Sequence, residues 1–155
     1  KLEWLQALRN NAERWINENP ELPLALMGDW NIAPFAADMG DPTFTEGLST
    51  HVSPDERSMF ASFSPTVQDV VRPLVPEEFT FWDYKAGRFQ KNEGMRIDFI
   101  MGSQAFADTV TAASIHREER KGDGPSDHVP VVCDIDPTLL GDTFEDDYDR
   151  PMIFG

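Results

Sequence analysis

Short β-forming segments separated by turn residues most restrict what this chain can fold into. Their candidate positions are residues 24–27, 67–71, 79–84, 95–101, 109–116 and 129–135. One longer helical pattern precedes them, because apolar residues recur at spacings of three and four from Leu2 to Ile16 before Asn19-Pro20 ends it. A capping box at residues 53–56 predicts a second, short helix. Since few helices separate the segments, we predict an α+β protein, mainly antiparallel sheet with flanking helices, rather than a repeated strand–helix–strand fold.

Composition restricts the class of protein. The chain has 155 residues, and 40% of them are hydrophobic, as expected for a folded domain rather than a disordered chain. No apolar run reaches the roughly 18 residues that a membrane-spanning helix needs. A single cysteine excludes an intramolecular disulfide and a multi-cysteine zinc site, and it suits a reducing cytoplasm, where we expect the protein to be located.

The charge of the chain is unevenly distributed. The formal net charge is −15, which argues against a protein coated in basic residues for nucleic acid. Seven of the 13 basic residues nevertheless lie between residues 85 and 121, whereas residues 136–155 carry six acids and one base. We therefore predict a domain at residues 1–137 followed by a solvated, flexible acidic tail at residues 138–155. A locally basic groove can coexist with an acidic total, so DNA is not excluded as a partner.

The first polar motif, Gly-Asp-Trp-Asn at residues 28–31, follows a short apolar run. Because they lie two residues apart in extended backbone, Asp29 and Asn31 point the same way. The carboxylate can bind a metal ion or accept a proton, and the amide can donate a hydrogen bond to an oxyanion. The alternative is that both are ordinary turn residues.

The second and third motifs are Arg-Ile-Asp at residues 96–98 and Ser-Asp-His at residues 126–128. Asp98 lies in an apolar strand, where a carboxylate needs a partner, and a structural salt bridge is the alternative to a functional role. His128 comes directly before a strand and can act as an acid, a base or a ligand. Its neighbour Asp127 faces the opposite way in extended backbone, so Asp98 is the better candidate to orient His128.

The three motifs together indicate phosphoryl chemistry. They supply carboxylates, an amide and an imidazole without cysteine, a set that suits Mg²⁺ or Mn²⁺ rather than zinc. No Ser or Cys occupies a nucleophile elbow. Carboxylates with a hard cation and a histidine can neutralise the charge of a phosphate and activate a water. His51 and His116 lie outside the motifs, and we interpret both as structural or surface residues.

Four segments, taken in order, resemble the exonuclease III family. They are residues 28–31, the Phe-Thr-Phe-Trp-Asp-Tyr segment at 79–84, residues 92–98 and Ser-Asp-His at 126–128. The family comprises bacterial exodeoxyribonucleases III and apurinic/apyrimidinic (AP) endonucleases, within the endonuclease/exonuclease/phosphatase superfamily. The resemblance covers about residues 1–135 and implies the C-terminal half of a four-layered, DNase I-like α/β sandwich. Because the family's metal-binding Glu motif is not found, we expect this chain alone to be inactive and to self-associate through an exposed apolar sheet face.

The resemblance implies a role for each polar residue of the motifs. Asp29 would activate the attacking water and take part in metal binding, and Asn31 would hold Asp29 and a phosphate oxygen. His128 would contact the scissile phosphate and would be oriented by Asp98. Asp127 would be a further carboxylate for the metal.

The resemblance also implies an apolar pocket for an extrahelical abasic sugar. Its walls would be Phe81, Trp82, Met95 and Ile97, and Arg96 would contact the substrate as well. Core packing is the alternative for the four apolar side chains.

The function that the resemblance implies is Mg²⁺- or Mn²⁺-dependent hydrolysis of double-stranded DNA at abasic sites and 3′ ends, in DNA repair by a bacterial enzyme. One alternative is a phosphatase or phosphodiesterase of the same superfamily acting on a small molecule or a lipid headgroup. Another is a non-catalytic interaction module. The segment at residues 79–84 and the basic residues near it favour the nuclease.

Overall fold

The computed structural model of the chain describes residues 1–41 and 51–140. The α-helices in these ranges are α1 (Leu2–Glu18), α2 (Pro54–Ala61), α3 (Arg88–Lys91) and α4 (Gln104–Ala107). The strands are β1 (Ala25–Asp29), β2 (Gln68–Asp69), β3 (Asp98–Gly102), β4 (Val110–Ile115) and β5 (Val131–Ile135). Residues 141–155, which make up most of the predicted acidic tail, lie outside the described residues.

The two longer helices form where the sequence predicts them. The apolar stripe of α1 buries Leu5 and Ala12, and the helix ends at Asn19, whose backbone is extended. The capping box of α2 is present: Ser53 Oγ accepts from the Glu56 N–H at 3.3 Å, and Glu56 Oε2 accepts from the Ser53 N–H at 3.4 Å. None of the described helices has the length and apolar character needed to cross a membrane.

The described strands form two antiparallel sheets, one in the order β1-β3-β2 and the other β4-β5. Strands β1 and β3 pair with Ala25 opposite Gly102 at one end and Asp29 opposite Asp98 at the other. Opposite residues of an antiparallel pair have Cα atoms only about 4.5–5.5 Å apart, so this register brings two carboxylates together at the sheet end. The predicted α+β class with mainly antiparallel sheet is confirmed.

An aromatic core fixes the end of β1. The Trp30 ring meets the rings of Phe60 and Phe63 edge-on, at centroid separations of 5.3 and 4.9 Å. Full burial of a large apolar side chain contributes about 1.5–3 kcal/mol to stability. Because Trp30 is anchored in this way, the polar residues on either side of it are held at the edge of the core.

The predicted strand at residues 79–84 is wrong in its extent. Only isolated bridges form there, in which Phe81 pairs with Met95 and with His128. The adjacent Trp82 N–H donates to the Asp127 carbonyl at 2.9 Å. The segment therefore ties the chain before β3 to the chain before β5, and it does not extend either sheet.

The predicted strand at residues 67–71 is also shorter, and it pairs with β3 only over Gln68–Asp69. The Asp69 side chain explains why, because its Oδ1 accepts the backbone N–H groups of Val71 and Arg72, each at 3.0 Å. A side chain that bonds the backbone two and three residues on turns the chain and ends the strand.

Candidate active site

Three side chains meet at the end of the larger sheet. Asp29 and Asp98 lie opposite each other on β1 and β3, and His128 reaches them from the chain before β5. His128 Nδ1 is 2.9 Å from Asp98 Oδ2, and His128 Nε2 is 3.9 Å from Asp29 Oδ2. One ligand atom from each residue lies within 4.8 Å of the others. Among the described residues, this is the group that could hold a metal ion.

The contact with Asp98 determines which nitrogen of the His128 ring carries the hydrogen. An ionised carboxylate only accepts hydrogen bonds, so the Nδ1 that faces Asp98 carries the hydrogen. The other ring nitrogen, Nε2, therefore faces Asp29 and the space beside it. The contact between Asp98 and His128 that the sequence predicts is present. The resemblance implies Asp127 as a further carboxylate for the metal, but its side chain is not in this group.

Burial raises the pKa of Asp98 above the ordinary range for an aspartate, and hydrogen bonds with Thr80 and His128 oppose part of that rise. Thr80 is fully buried, and its Oγ1 accepts the backbone N–H groups of Ile97 and Asp98 at 3.1 and 3.2 Å. Thr80 therefore fixes the backbone at the start of β3. Sequence reasoning missed this residue, because a threonine among aromatic residues is typical of any strand.

The raised pKa predicts how stability depends on pH. The folded state binds a proton at Asp98 more readily than the unfolded chain does, so this contribution to stability is complete below the unfolded pKa and is lost as the pH rises through the folded pKa. Asp98→Asn cannot ionise. We therefore expect the free energy of unfolding of the variant minus that of the wild type to rise with pH across the acidic range and then to level off. Urea unfolding in EDTA at a series of pH values measures this, and a constant difference would contradict it.

Asn31 holds both oxygens of the Asp29 carboxylate. Its backbone N–H donates to Oδ1 at 2.8 Å, and its side-chain Nδ2 donates to Oδ2 at 2.6 Å. The Asn31 backbone has a positive φ of 52°, a conformation that Asn tolerates better than most residues do. Asp29 is consequently held in one orientation at the mouth of the site.

Phe81 and Met95 line a cavity of about 200 Å³, together with His51, Gly94 and the charged residues Asp41, Asp83, Arg88 and Glu93. The Phe81 ring is 5.1 Å from the His128 ring, centroid to centroid. These two of the five predicted substrate-binding residues therefore border open space close to the carboxylates.

The other three predicted substrate-binding residues lie in the interior. Trp82 is 0% exposed, and Arg96 and Ile97 are each 1% exposed. The Arg96 guanidinium donates to the Val75 carbonyl and lies 3.6 Å from Asp69 Oδ2. All three are core residues here, so the structure does not bring them to a position from which they touch a substrate.

His51, which the sequence suggests is a structural or surface residue, lies against the site. Its Nε2 is 2.9 Å from Asn31 Oδ1, and its carbonyl accepts the Ala33 N–H at 2.8 Å. The 19 residues between Asn31 and His51 carry loop signals and no periodic pattern. No spacing in the sequence could therefore have indicated this contact.

Comparisons with known proteins agree with this arrangement. The model of the Endonuclease/Exonuclease/phosphatase family matches residues 3–128. Exodeoxyribonuclease III of Haemophilus influenzae is 33% identical over 122 residues, which cover 73% of this chain and 46% of that protein.

Solved structures give the same result. The 3′ phosphatase NExo from Neisseria, bound to a product DNA hairpin, has a TM-score of 0.75 and 32% identity, over 86% of this chain and 52% of that one. An AP endonuclease from Archaeoglobus fulgidus has a TM-score of 0.72 and 26% identity, over 87% of this chain and 53% of that one. The chain thus spans about half the length of the relatives that it matches.

Proposed function

The chain belongs to the endonuclease/exonuclease/phosphatase family, and we propose that it carries the hydrolytic residues of a metal-dependent nuclease that cleaves double-stranded DNA at abasic sites and 3′ ends. The observation that carries the proposal is the meeting of Asp29, Asp98 and His128 at one sheet end. Relatives named as an exodeoxyribonuclease III and as an AP endonuclease support the substrate class. The activity is proposed for the intact protein. Because this chain spans about half the length of those relatives, we propose that the 155 residues alone cleave little DNA.

The donor set fits a hard divalent cation. Asp29 and Asp98 offer carboxylate oxygens, and Cys133, the single cysteine, is not in the group. We propose Mg²⁺ or Mn²⁺ there, and we propose Asp127, whose side chain lies outside this group, as a further carboxylate for the metal. Such a cation, when bound, neutralises phosphate charge and makes a bound water more acidic.

The residues of the chain have distinct roles in the proposed hydrolysis. Asp29 accepts a proton from the attacking water, and Asn31 keeps its carboxylate oriented. His128 is held by Asp98 through Nδ1, and with a hydrogen on both ring nitrogens it donates from Nε2 to a phosphate oxygen. The role of Asn31 follows from the hydrogen-bond directions, since both of its donors face oxygens of Asp29.

The proposed substrate pocket is the cavity of about 200 Å³. Phe81 and Met95 flank an abasic sugar there, and the buried Ile97 packs in the same cluster as both of them. A nucleotide that already lacks its base needs the least unstacking and unpairing free energy to leave the DNA helix. A small cavity whose aromatic wall, Phe81, packs against His128 therefore suits such a substrate.

A substrate panel tests this proposal against a phosphatase that acts on small molecules. We expect the intact protein to process a DNA duplex with one abasic site and a duplex with a 3′-phosphate at least about a hundredfold faster than inositol phosphates or a phospholipid headgroup. The 3′-phosphate is included because the Neisseria relative is described as a 3′ phosphatase. A preference for the small molecules would contradict the proposal, and no hydrolysis of any member would favour a non-catalytic module.

We also propose that the 155-residue chain self-associates when it is isolated. Trp4 and Met27 are 66% and 64% exposed, and both line an open cavity of about 480 Å³ between α1 and β1. Large exposed apolar surfaces favour association. We expect light scattering to give a mass above that of one chain, and a monomer at micromolar concentration would contradict the proposal.

A further inference from the structure

A hydrogen-bond relay leads from His51 to the Asp29 carboxylate. His51 Nε2 is 2.9 Å from Asn31 Oδ1, and Asn31 Nδ2 is 2.6 Å from Asp29 Oδ2. The backbone N–H of Asn31 holds the other Asp29 oxygen at 2.8 Å. Asn31 thus donates a hydrogen bond to each oxygen of the Asp29 carboxylate, and His51 contacts the oxygen of the Asn31 side-chain amide.

The direction of each hydrogen bond in this relay is determined. A carboxylate only accepts, so the part of the Asn31 amide that faces Asp29 is the NH₂ group. Its carbonyl oxygen therefore faces His51, and that oxygen also only accepts. His51 Nε2 must carry the hydrogen. If this donor were removed, the Asn31 amide would be held only by its bonds to Asp29, and its oxygen would lose the partner that fixes its position.

His51 is held where this donation is possible. Its carbonyl accepts the Ala33 N–H at 2.8 Å, and the next residue, Val52, is fully buried in a cluster with Ala33, Met95 and Ile97. The capping box of α2 begins one residue later. His51 is therefore fixed by its backbone bond with Ala33 and by the buried residue and helix start that follow it, and its position does not depend on the contact with Asn31 alone.

The charges near His51 also favour a neutral ring that donates. Burial lowers the pKa of His51, and the neighbouring Lys1 lowers it further, whereas Asp29 and Glu56 act in the opposite direction. The neutral imidazole with its hydrogen on Nε2 suffices for the bond with Asn31.

We propose that His51 is a positioning residue, which fixes the Asn31 amide and through it the orientation of Asp29. The proposal rests on the proposed nuclease function, since Asp29 is the group that accepts the proton there. Residues that orient a functional group from behind it typically change activity by tenfold to a hundredfold, on the order measured around metal sites. His51 differs from Asp29 in acting only through its neighbour.

The kinetic test uses the intact protein. We expect His51→Ala to lower kcat on an abasic-site duplex by about tenfold with KM changed by less than about twofold. His51→Gln, whose amide can donate to the same oxygen, restores kcat to within about threefold of the wild type. In an Asn31→Ala background, His51→Ala has no further effect, because its target is gone. His116→Ala is the matched control, since His116 is exposed and contacts Ser114.

The proposal would be overturned if the fold losses in kcat from His51→Ala and Asn31→Ala multiplied in the double variant. It would also be overturned if His51→Gln were as slow as His51→Ala. A second measurement does not depend on nuclease activity. In ¹H–¹⁵N spectra, we expect the side-chain amide signals of Asn31 to shift in His51→Ala and to stay close to their wild-type positions in His51→Gln. Unchanged Asn31 signals in His51→Ala would overturn the positioning role even if the protein does not cut DNA. Shifted Asn31 signals in a protein that does not cut DNA would support the hydrogen-bond relay and contradict the nuclease function.

Discussion

Asp29→Asn is expected to lower kcat for abasic-site cleavage by about a thousandfold or more, with the fold retained. A general base contributes about 10²–10⁴ to a rate, and an amide cannot accept the proton. The substitution also disturbs the two hydrogen bonds that Asn31 donates to the oxygens of Asp29. An amide at position 29 offers only one oxygen, so one of the two donors loses its acceptor.

Single-turnover cleavage by the intact protein measures this effect, and circular dichroism checks the fold. Asp134→Asn is the matched control, because Asp134 is exposed on β5 and lies outside the Asp29 group. We expect the control to cut at the wild-type rate. Undiminished cutting by Asp29→Asn would refute the role of Asp29 as the base.

The second large effect is on stability. Trp82→Ala is expected to lower the free energy of unfolding by about 3–5 kcal/mol, the usual cost of removing a large buried aromatic side chain. Trp82 is fully buried and meets the rings of Phe89 and Phe79 edge-on, at 5.3 and 6.3 Å between centroids. The Arg117 guanidinium lies 5.5 Å from its ring centroid. These contacts make Trp82 a core residue whose packing contributes to the free energy of unfolding.

Trp82→Phe separates the structural role from the substrate-binding role. The Trp82 Nε1 is buried without a hydrogen-bond partner among the described residues, so a phenyl ring keeps most of the packing and removes an unpaired donor. We expect the Phe variant to lose less stability than the Ala variant and to keep kcat/KM on an abasic duplex within about twofold. Urea unfolding measures the stability of the Phe variant. A large loss of kcat/KM on the abasic duplex in a variant of unchanged stability would instead place Trp82 in the substrate pocket.

The parts of the fold that rest on local signals were predictable. Apolar spacing marks α1, and the Ser53–Glu56 capping box marks the start of α2, because both depend on residues within one or two turns. The contact between Asp98 and His128 was also predictable. The alternation of side chains along a strand excludes Asp127, and a carboxylate in an apolar strand needs a partner.

The parts that depend on tertiary contacts were not predictable from the sequence. Trp82 and Arg96 lie among polar and β-forming residues, a pattern that is the same for a pocket wall and for a core residue. Only the packing shows that both are interior. The contact between His51 and Asn31 crosses a loop of irregular composition, so its partner is set by the burial of Val52 and not by any local rule.

Metal-dependent cleavage of one defined DNA substrate tests the central claim most directly. The intact protein is incubated with a duplex that carries a single abasic site, once with Mg²⁺ and once with EDTA, and the products are separated on a denaturing gel. We expect one cut at the abasic position in Mg²⁺, no cut in EDTA, and restoration of the cut when Mn²⁺ or Mg²⁺ is added back. Equal cutting in EDTA, or no cutting by a folded protein under any of these conditions, would contradict the central claim.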